Sequence, residues 1–168
     1  MADVDGAQAP DGSQRAILIR DFADVQRPLA QIRSRFLGGA HWLSPLAVTA
    51  QGDGEAVRLR IGPDWAPESI ARTVEVTVGL VHHRGSNLVV PLSWEASGLR
   101  SMFPLLDGEV EVSPLDDHSS RLTLSGSYTP PWGPVGATLD RALLHRVATS
   151  TVRSFLNQVA ANLMSDPG

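Results

Sequence analysis

The chain has 168 residues and a formal net charge of −4 at pH 7, and 42% of its residues are hydrophobic. This length fits one domain that can bury a core without a metal or disulfide staple, and the sequence contains neither cysteine nor lysine. Thiol catalysis, thiolate metal sites and Schiff-base chemistry are therefore excluded, and an acidic chain without a basic tract argues against nucleic-acid binding.

The ends of the chain carry little structural signal. Residues 1–14 lack apolar periodicity and are rich in Gly, Asp and Ala, so we predict a disordered tail followed by a single domain over 15–164. The acidic start does not look like a secretory signal, and no apolar run is long enough to cross a membrane. We therefore expect a cytoplasmic protein without membrane insertion.

One strand and two short helices are predicted at the start of the domain. The run 15–22 is short, apolar and β-branched, which is typical of a strand. Pro28 then marks a helix start, and apolar residues follow it at helical spacing as far as Phe36. A second short helix or turn carries Trp42.

From residue 55 onward the apolar period changes from 3.6 to 2, which indicates an antiparallel meander of about six strands. The alternation runs over 57–61, 74–80, 88–94, 110–112 and 122–128. Pro91 cannot donate to a ladder and so requires an edge or a bulge. A slip in register there or at Gly126 would reverse which face some side chains occupy.

A long helix is predicted at the C-terminal end, roughly over 137–163. The prolines between 129 and 136 end the last strand, and the helix that follows carries one apolar stripe. Leu144, Ala148, Val152 and Phe155 share that stripe. Such a stripe must pack on another element, and the apolar face of the sheet is the available partner.

The final strand and the long helix resemble a known family. The segment 121–136 (RLTLSGSYTPPWGPVG) and the segment 139–153 (LDRALLHRVATSTVR) are similar to an actinobacterial branch of the START-like superfamily, the group of polyketide cyclases, Bet v 1 and lipid-transfer proteins. The element order resembles this superfamily over about 15–163. The likeness is specific for fold and weak for chemistry, because the superfamily shares a cavity rather than a catalytic motif.

The resemblance implies an α+β helix-grip fold. A curved antiparallel sheet of about six or seven strands would wrap around the long C-terminal helix, with two short helices after the first strand. Any space between sheet and helix that side chains leave open would be an apolar cavity, which is the default ligand site of such a structure.

The pair His82-His83 has two interpretations. Neighbouring strand residues point to opposite faces, so one metal ion cannot bind both unless the chain bulges. If the alternation from Val74 to Leu80 continues, His82 faces inward, where it can contact a ligand, and His83 faces solvent. Otherwise both are ordinary residues at the end of a hairpin.

Other polar residues also admit structural interpretations. Asp116-Asp117-His118 combines metal-binding residue types, but it lies at a predicted hairpin tip, where such residues serve the turn. Arg141 and His145 lie one turn apart near the start of the long helix. Arg141 either pairs with a carboxylate or holds an anionic head group, and His145 is of a residue type that can transfer protons near neutral pH but has no identifiable partner.

Aromatic residues add surface to the predicted interior. Trp94 and Tyr128 share a face with inward aliphatic residues, so each either fills the core or contacts a ligand, and Phe103 adds further aromatic surface. A buried Tyr128 hydroxyl must find a hydrogen-bond partner.

These observations favour a module that binds a hydrophobic or amphipathic small molecule between sheet and helix, as a monomer or homodimer. A cyclase or aromatase that uses the same cavity, and a packed structural or interaction domain, remain alternatives. No nucleophile elbow or phosphate-binding loop is present, and we expect neither cofactor nor metal. The predicted ligand-binding residues are Leu80, His82, Leu92, Trp94, Phe103, Tyr128, Arg141, Leu144, His145, Ala148 and Val152.

Overall fold

A computed structural model describes residues 16–49, 56–63, 72–96, 105–129 and 141–165. These residues form one antiparallel sheet of eight strands, two short helices and one long C-terminal helix. The strands are β1 (Ile17–Val25), β2 (Ala47–Thr49), β3 (Ala56–Ile61), β4 (Arg72–Val78), β5 (His82–Arg84), β6 (Asn87–Ala96), β7 (Leu105–Pro114) and β8 (Ser120–Thr129). The helices are α1 (Leu29–Phe36), a 3-10 helix (Gly39–Leu46) and α2 (Arg141–Met164). The predicted α+β class is confirmed.

The strands follow the order β1-β8-β7-β6-β4-β3-β2, and β5 pairs with β6 beside the end of β4. Every pair is antiparallel. The predicted meander is therefore confirmed, and the three-residue strands β2 and β5 are additions that the sequence patterns did not indicate. Among the described helices, none is both long and apolar enough to span a membrane.

The sheet has one buried and one exposed face, as the period of 2 requires. Along β1 the burial alternates at every residue from Ile17 to Val25, and β6, β7 and β8 alternate in the same way over most of their length. The buried face, called the inner face below, packs against α2. Its members include Ile19, Val76, Val90, Leu92, Trp94, Leu106, Val110, Leu122 and Leu124.

Helix α2 is attached to the inner face by an aromatic contact and an ion pair. The rings of Trp94 on β6 and Phe155 on α2 meet edge to face, with 5.4 Å between their centroids. Arg153 Nε lies 2.9 Å from Oδ2 of Asp21, an inner-face residue of β1 whose side chain is only 8% exposed. The two contacts fix the helix against the middle and one edge of the sheet.

Asp21 also protects the edge of the sheet. Edge strands invite pairing with other chains unless charged side chains or covering elements block them. Here the backbone N–H of Phe22 donates to Asp21 Oδ1 at 2.9 Å, and Arg153 from α2 covers the same carboxylate. β2, at the opposite edge, is only three residues long. The backbone N–H of Phe22 on the β1 edge is therefore already occupied, and β2 offers only a short ladder at the other edge.

Two arginines cap the C-terminal end of α2. The last carbonyls of a helix lack intrahelical donors and carry partial negative charge. Arg27 donates to the carbonyl of Met164 at 2.7 Å, and Arg35 donates to those of Asn162 and Ser165 at 3.0 and 2.8 Å. These bonds connect the start and end of α1 to the end of α2, so that α1 closes one end of the sheet.

Two glycines face each other where β7 and β8 approach most closely. Gly108 and Gly126 are direct cross-strand partners, and both belong to the inner face. A Cβ on Gly126 would lie 2.7 Å from the carbonyl oxygen of Asp107, and one on Gly108 would collide with the carbonyl oxygen of Ser125. Glycine at such positions permits the close backbone approach that a curved sheet requires.

A bulge separates β4 from β5. Val78 pairs with Leu92, whereas His82 pairs with Val89, so the chain contains one residue more than a continuous ladder allows. Pro91 faces this break, and its carbonyl accepts a hydrogen bond from Gly79 at 2.8 Å. Since proline has no N–H, the ladder cannot continue at this point. The sequence predicted an edge or a bulge on the strand of Pro91, but β6 is a central strand in unbroken register with β7, and the additional residue lies in the neighbouring chain between β4 and β5.

The glycine pair generates a stability prediction. Gly126→Ala places a methyl group against rigid backbone, so we expect a loss of about 1–3 kcal/mol, the usual range for overpacking. Gly38→Ala is the matched control, because its Cβ would make only an ordinary 3.5 Å contact with His41. Urea midpoints for the two variants measure the difference. Equal midpoints would show that the strands can separate without loss.

The capping arginines generate a second prediction. Arg35→Met keeps the aliphatic stem but leaves the carbonyls of Asn162 and Ser165 without their charged donor, and we expect a loss of about 1–2 kcal/mol. Arg33→Met on the same helix is the control, since the hydrogen bond given for Arg33 joins it to the exposed ring of His83, at 3.0 Å, and not to a carbonyl of α2. Urea unfolding of both variants tests this. An equally small loss in both would mean that water caps α2 equally well.

Candidate ligand-binding site

Three of the described strands end on the same side of the sheet. Ile61 pairs with Arg72, Trp94 with Leu106, and Leu105 with Thr129, so β3, β6 and β8 all end on the same side. Arg153 of α2 contacts Asp21 on β1, and the carbonyl of Met164, further along α2, contacts Arg27, which follows β1. Helix α2 therefore runs in the same direction as β1. The first turns of α2 therefore lie toward this end, opposite the end that α1 closes.

A row of large side chains crosses the inner face near this end. Trp94, Leu106, Tyr128 and Ile17 are successive cross-strand partners on β6, β7, β8 and β1. All four are buried, Trp94 at 2% exposure and Tyr128 at 5%. The row is apolar apart from the Tyr128 hydroxyl and the Trp94 indole nitrogen.

Burial alone raises the pKa of the Tyr128 hydroxyl, from its ordinary value of 10 to about 12. No hydrogen bond or charge from the described residues contributes to that shift. The ionised form is disfavoured because a phenolate would lose its hydration in apolar surroundings. At neutral pH the hydroxyl of this largely buried side chain is therefore uncharged and able to donate a hydrogen bond.

Five of the predicted ligand-binding residues have the inward placement expected of them. Leu92, Trp94 and Tyr128 lie on the inner face, and Ala148 and Val152 lie on the buried side of α2 in its first half. Their inward placement is confirmed. Their contact with a ligand stays a prediction.

The inward placement predicted for Leu80 and His82 is wrong. Leu80 is 91% exposed, and His82 is exposed on the opposite face of the sheet. The bulge between β4 and β5 is the reason, because one additional residue reverses the alternation that β4 establishes. His83, expected to face solvent, is exposed as well.

Four predicted ligand-binding residues remain, of which one is at the surface and three involve parts of the chain that the structure does not describe. His145 is exposed on α2. Phe103 and the side chains of Arg141 and Leu144 lie outside the described residues. Of these four side chains, the structure therefore describes that of His145, which is at the surface.

The acidic tip between β7 and β8 is a turn. Asp116 Oδ1 accepts from the backbone N–H of His118 at 2.7 Å, and Leu115 N–H donates to the carbonyl of Ser119 at 3.0 Å. The hydrogen bond from the backbone N–H of His118 is the largest cause that lowers the pKa of the Asp116 carboxyl, and hydrogen bonds from Ser119 lower this pKa further. Within the described ranges, no group of three or more His, Asp or Glu residues is arranged to hold a metal ion.

Trp42 is a candidate that the sequence interpretation did not include. Its side chain is 3% exposed, and its indole Nε1 is buried without a hydrogen-bond acceptor among the described residues. The sequence placed Trp42 on a short helix, but only the three-dimensional packing decides whether an indole nitrogen reaches an acceptor.

An open groove of about 650 Å³ lies on the outer face of the sheet, behind the glycine pair. Its lining comprises Leu18, Ile19, Arg20, Asp107, Gly108, Glu109, Ser125 and Gly126. The groove mixes positive and negative side chains and faces away from α2. It therefore does not coincide with the aromatic row of the inner face.

Comparison with solved structures identifies the architecture. The chain has a START/Bet v 1-like fold and superposes on the Zhui aromatase/cyclase from Streptomyces sp. R1128 with a TM-score of 0.53 and 17% identity, over 89% of this chain and 94% of that one. Norcoclaurine synthase from Thalictrum flavum, solved with dopamine and hydroxybenzaldehyde, gives a TM-score of 0.56 and 14% identity, over 92% and 90%.

A START superfamily protein from Mycobacterium smegmatis superposes with a TM-score of 0.50 and 12% identity, over 88% of this chain and 94% of that one. No protein-family model matches the sequence, and no curated protein matches it significantly. At these identities the likeness establishes the helix-grip fold and leaves the chemistry to be argued from the residues.

The raised pKa of Tyr128 can be measured directly, because Tyr128 is the single tyrosine in the sequence. Tyrosinate absorbance should therefore titrate near pH 12 in the folded protein and near pH 10 after unfolding in urea. A folded-state midpoint near 10 would show that water reaches the hydroxyl.

The same shift predicts a loss of stability at alkaline pH. Because the unfolded state releases the tyrosine proton at lower pH than the folded state, the contribution of Tyr128 is complete below pH 10 and disappears as the pH rises toward 12. The expected loss is about 2 kcal/mol. The chain contains no cysteine or lysine whose titration in the same pH range could hide this loss of stability. Urea unfolding at pH 9 and at pH 12 measures the loss, and Tyr128→Phe should abolish the difference between the two pH values.

Proposed function

We propose that this protein binds a hydrophobic or amphipathic small molecule between the inner face of the sheet and α2. The proposal depends on one observation above the others: a largely apolar inner face carries the Tyr128 side chain, which is 5% exposed and whose pKa is raised by burial alone. Ligand pockets of this kind are mostly apolar with a few polar groups that fix the orientation of the bound molecule. The START/Bet v 1-like fold supports the same position for the ligand.

Affinity and orientation would come from different residues. Leu92, Trp94, Ala148 and Val152 would supply apolar area, at about 25 cal/mol for each Å² removed from water. Tyr128 would orient the molecule by a hydrogen bond. The proposed partner is thus a small molecule and not a nucleic acid, and the location expected from the sequence is the cytoplasm. The protein would act as a monomer or homodimer.

A cyclase or aromatase activity is the second candidate, favoured by the protonated state of Tyr128. A neutral hydroxyl in an apolar site can stabilise a developing oxyanion or deliver a proton. Such an enzyme also needs a base near the reacting atoms. The carboxylate of the inner-face residue Asp21 is paired with Arg153 and bonded to the backbone of Phe22. The described residues therefore support binding more directly than catalysis.

A larger side chain at the proposed site distinguishes a ligand-binding interior from a solidly packed one. Ala148→Trp places an indole in the proposed site, so a binding protein should stay folded and lose its ligand. Ala161→Trp adds the same indole on the exposed side of α2 and should change neither property. If the interior were packed solid, Ala148→Trp would instead unfold the domain or cost several kcal/mol through overpacking.

Native mass spectrometry followed by solvent extraction is the readout for these variants. Wild-type protein and Ala161→Trp should retain an added mass that releases an organic molecule, and Ala148→Trp should lack it. A folded Ala148→Trp variant that retains the same mass would contradict the proposed position of the ligand. A clean mass in all three proteins would contradict stable binding and favour a transient substrate.

A further inference from the structure

The open groove on the outer face of the sheet has a floor of small side chains between two higher walls. Its floor is β8, whose outward residues are Thr123, Ser125, Ser127 and Thr129. The neighbouring strands form the walls, β1 with Leu18 and Arg20 and β7 with Asp107 and Glu109. Small residues between larger ones leave the space of about 650 Å³ that the groove occupies.

The two walls carry opposite charges that are exposed to solvent. Arg20 projects from β1 and Asp107 from β7, and both side chains are exposed. Glu109, the other carboxylate of the groove, is already paired with Arg84 at 2.6 Å. No ion pair of the described residues includes Arg20 or Asp107. Each wall therefore offers one charge that the described part of its own chain does not neutralise.

The β1 wall is also apolar. Leu18 is 81% exposed, and Phe22, two positions beyond Arg20 on the same face, is 53% exposed, with the Arg121 guanidinium 4.2 Å from its ring centroid. Leu105 on the β7 side is an exposed apolar residue as well. A sheet face in contact with water is normally polar, and grouped exposed apolar side chains mark interaction surfaces.

We propose that a second copy of the chain docks on this outer face, with the β1 wall of each copy in the groove of the other. The register makes the surface self-complementary. Arg20 lies in the cross-strand row of Ser125 and Asp107 in that of Ser127, so the point midway between the two charges falls at Gly126 on the groove floor. A twofold axis parallel to the sheet above this point brings each Arg20 to the Asp107 of the other copy, and the ion pair forms twice.

A second copy fits this surface better than a small molecule does. Small-molecule sites enclose most of their ligand, whereas the groove is open along the sheet. Two sheets pack face to face at a separation of about 10 Å, and the small residues of β8 leave room for the β1 side chains of the other copy. Three strands form an interface at the low end of specific complexes, about 1,200 Å² in total. We therefore expect a weak dimer that high salt dissociates, because salt screens its exposed ion pairs.

The proposed interface does not depend on the proposed ligand. It uses the outer face, whereas the ligand would lie between the inner face and α2. Face-to-face docking also leaves the β1 edge as it is, with the backbone N–H of Phe22 donating to Asp21. A dimer of this kind therefore leaves the inner face of both copies as it is in the single chain.

Charge reversal tests the pairing between copies. In Arg20→Glu a carboxylate faces the Asp107 of the other copy, and in Asp107→Arg a guanidinium faces its Arg20. We expect each variant alone to raise the dissociation constant of the dimer about tenfold or more, because the twofold axis repeats the repulsion. An equimolar mixture of the two variants should recover the wild-type association, because both contacts of the mixed dimer then join opposite charges. Sedimentation equilibrium over a range of protein concentrations measures each case.

Arg146→Glu is the matched control. Arg146 is an exposed residue of α2, on the other side of the sheet from the groove, and the substitution changes the net charge by the same amount as Arg20→Glu. It should leave dimerisation unchanged. Circular dichroism establishes that all variants are folded, as expected for substitutions of exposed side chains.

Cross-linking gives a second measurement that does not require the charge variants to fold. Because the sequence contains no cysteine, Ser127→Cys introduces a single thiol on the groove floor. A short bismaleimide should join two copies of this variant. Ser34→Cys, on the exposed side of α1, should remain a monomer under the same conditions.

Three results would overturn the proposed dimer. The first is a wild-type chain that remains monomeric at every concentration and does not cross-link through Ser127→Cys. The second is a mixture of the two charge variants that associates no better than either variant alone, since the two charges then do not meet between copies. The third is an equal loss of association in Arg146→Glu, which would assign the effect to net charge. None of these results bears on ligand binding at the inner face.

Discussion

The close approach of β7 and β8 at Gly108 and Gly126 is the constraint on which the rest of the structure depends. Side chains at these two positions would collide with the opposing backbone on the inner face. Without them the two strands can bend toward α2, and the sheet can curve around the helix instead of remaining flat. The curvature lets distant strands contribute to one interior. An interior site for a small molecule is possible only because the sheet closes in this way.

The long helix α2 completes the interior and is held in place at its middle and at its C-terminal end. Near its middle, Phe155 packs on Trp94 and Arg153 pairs with Asp21. At its C-terminal end, Arg27 and Arg35 donate to its last carbonyls. The attachments lie toward the end of the sheet that α1 closes. The first turns of α2 extend toward the opposite end, where the strands β3, β6 and β8 finish, and this is the side on which the proposed site lies.

The polar groups of the interior follow a simple electrostatic rule. Asp21 places a carboxylate on the inner face. Arg153 neutralises its charge, and the backbone N–H of Phe22 donates a hydrogen bond to it. Among the described residues, the buried donor left without a partner is the uncharged indole N–H of Trp42, and burial keeps the Tyr128 hydroxyl in its uncharged form. An unpaired charge in this position would cost far more than an unpaired neutral donor. The pairing of Asp21 therefore makes acid–base chemistry with that carboxylate difficult.

The sequence by itself determined the fold class and much of the inner face. The change of period near residue 55 identified the meander, and the stripe containing Ala148, Val152 and Phe155 identified the face of α2 that is buried. Such patterns are readable because burial of alternate or helically spaced residues is a local property. The placement of Trp94 and Tyr128 on the inner face followed from the same alternation. That Pro91 would interrupt a ladder was predictable as well, since a missing N–H is a property of the residue itself.

Only the tertiary structure decided what depends on register and partners. The additional residue between Val78 and His82 reversed the facing of the histidine pair, and the sequence could not show on which side of Pro91 the bulge would form. The pairing of Asp21 with Arg153 joins residues far apart in the chain, so no local pattern reveals it. The same holds for the unpaired nitrogen of Trp42, because whether a donor finds an acceptor depends on every element packed around it.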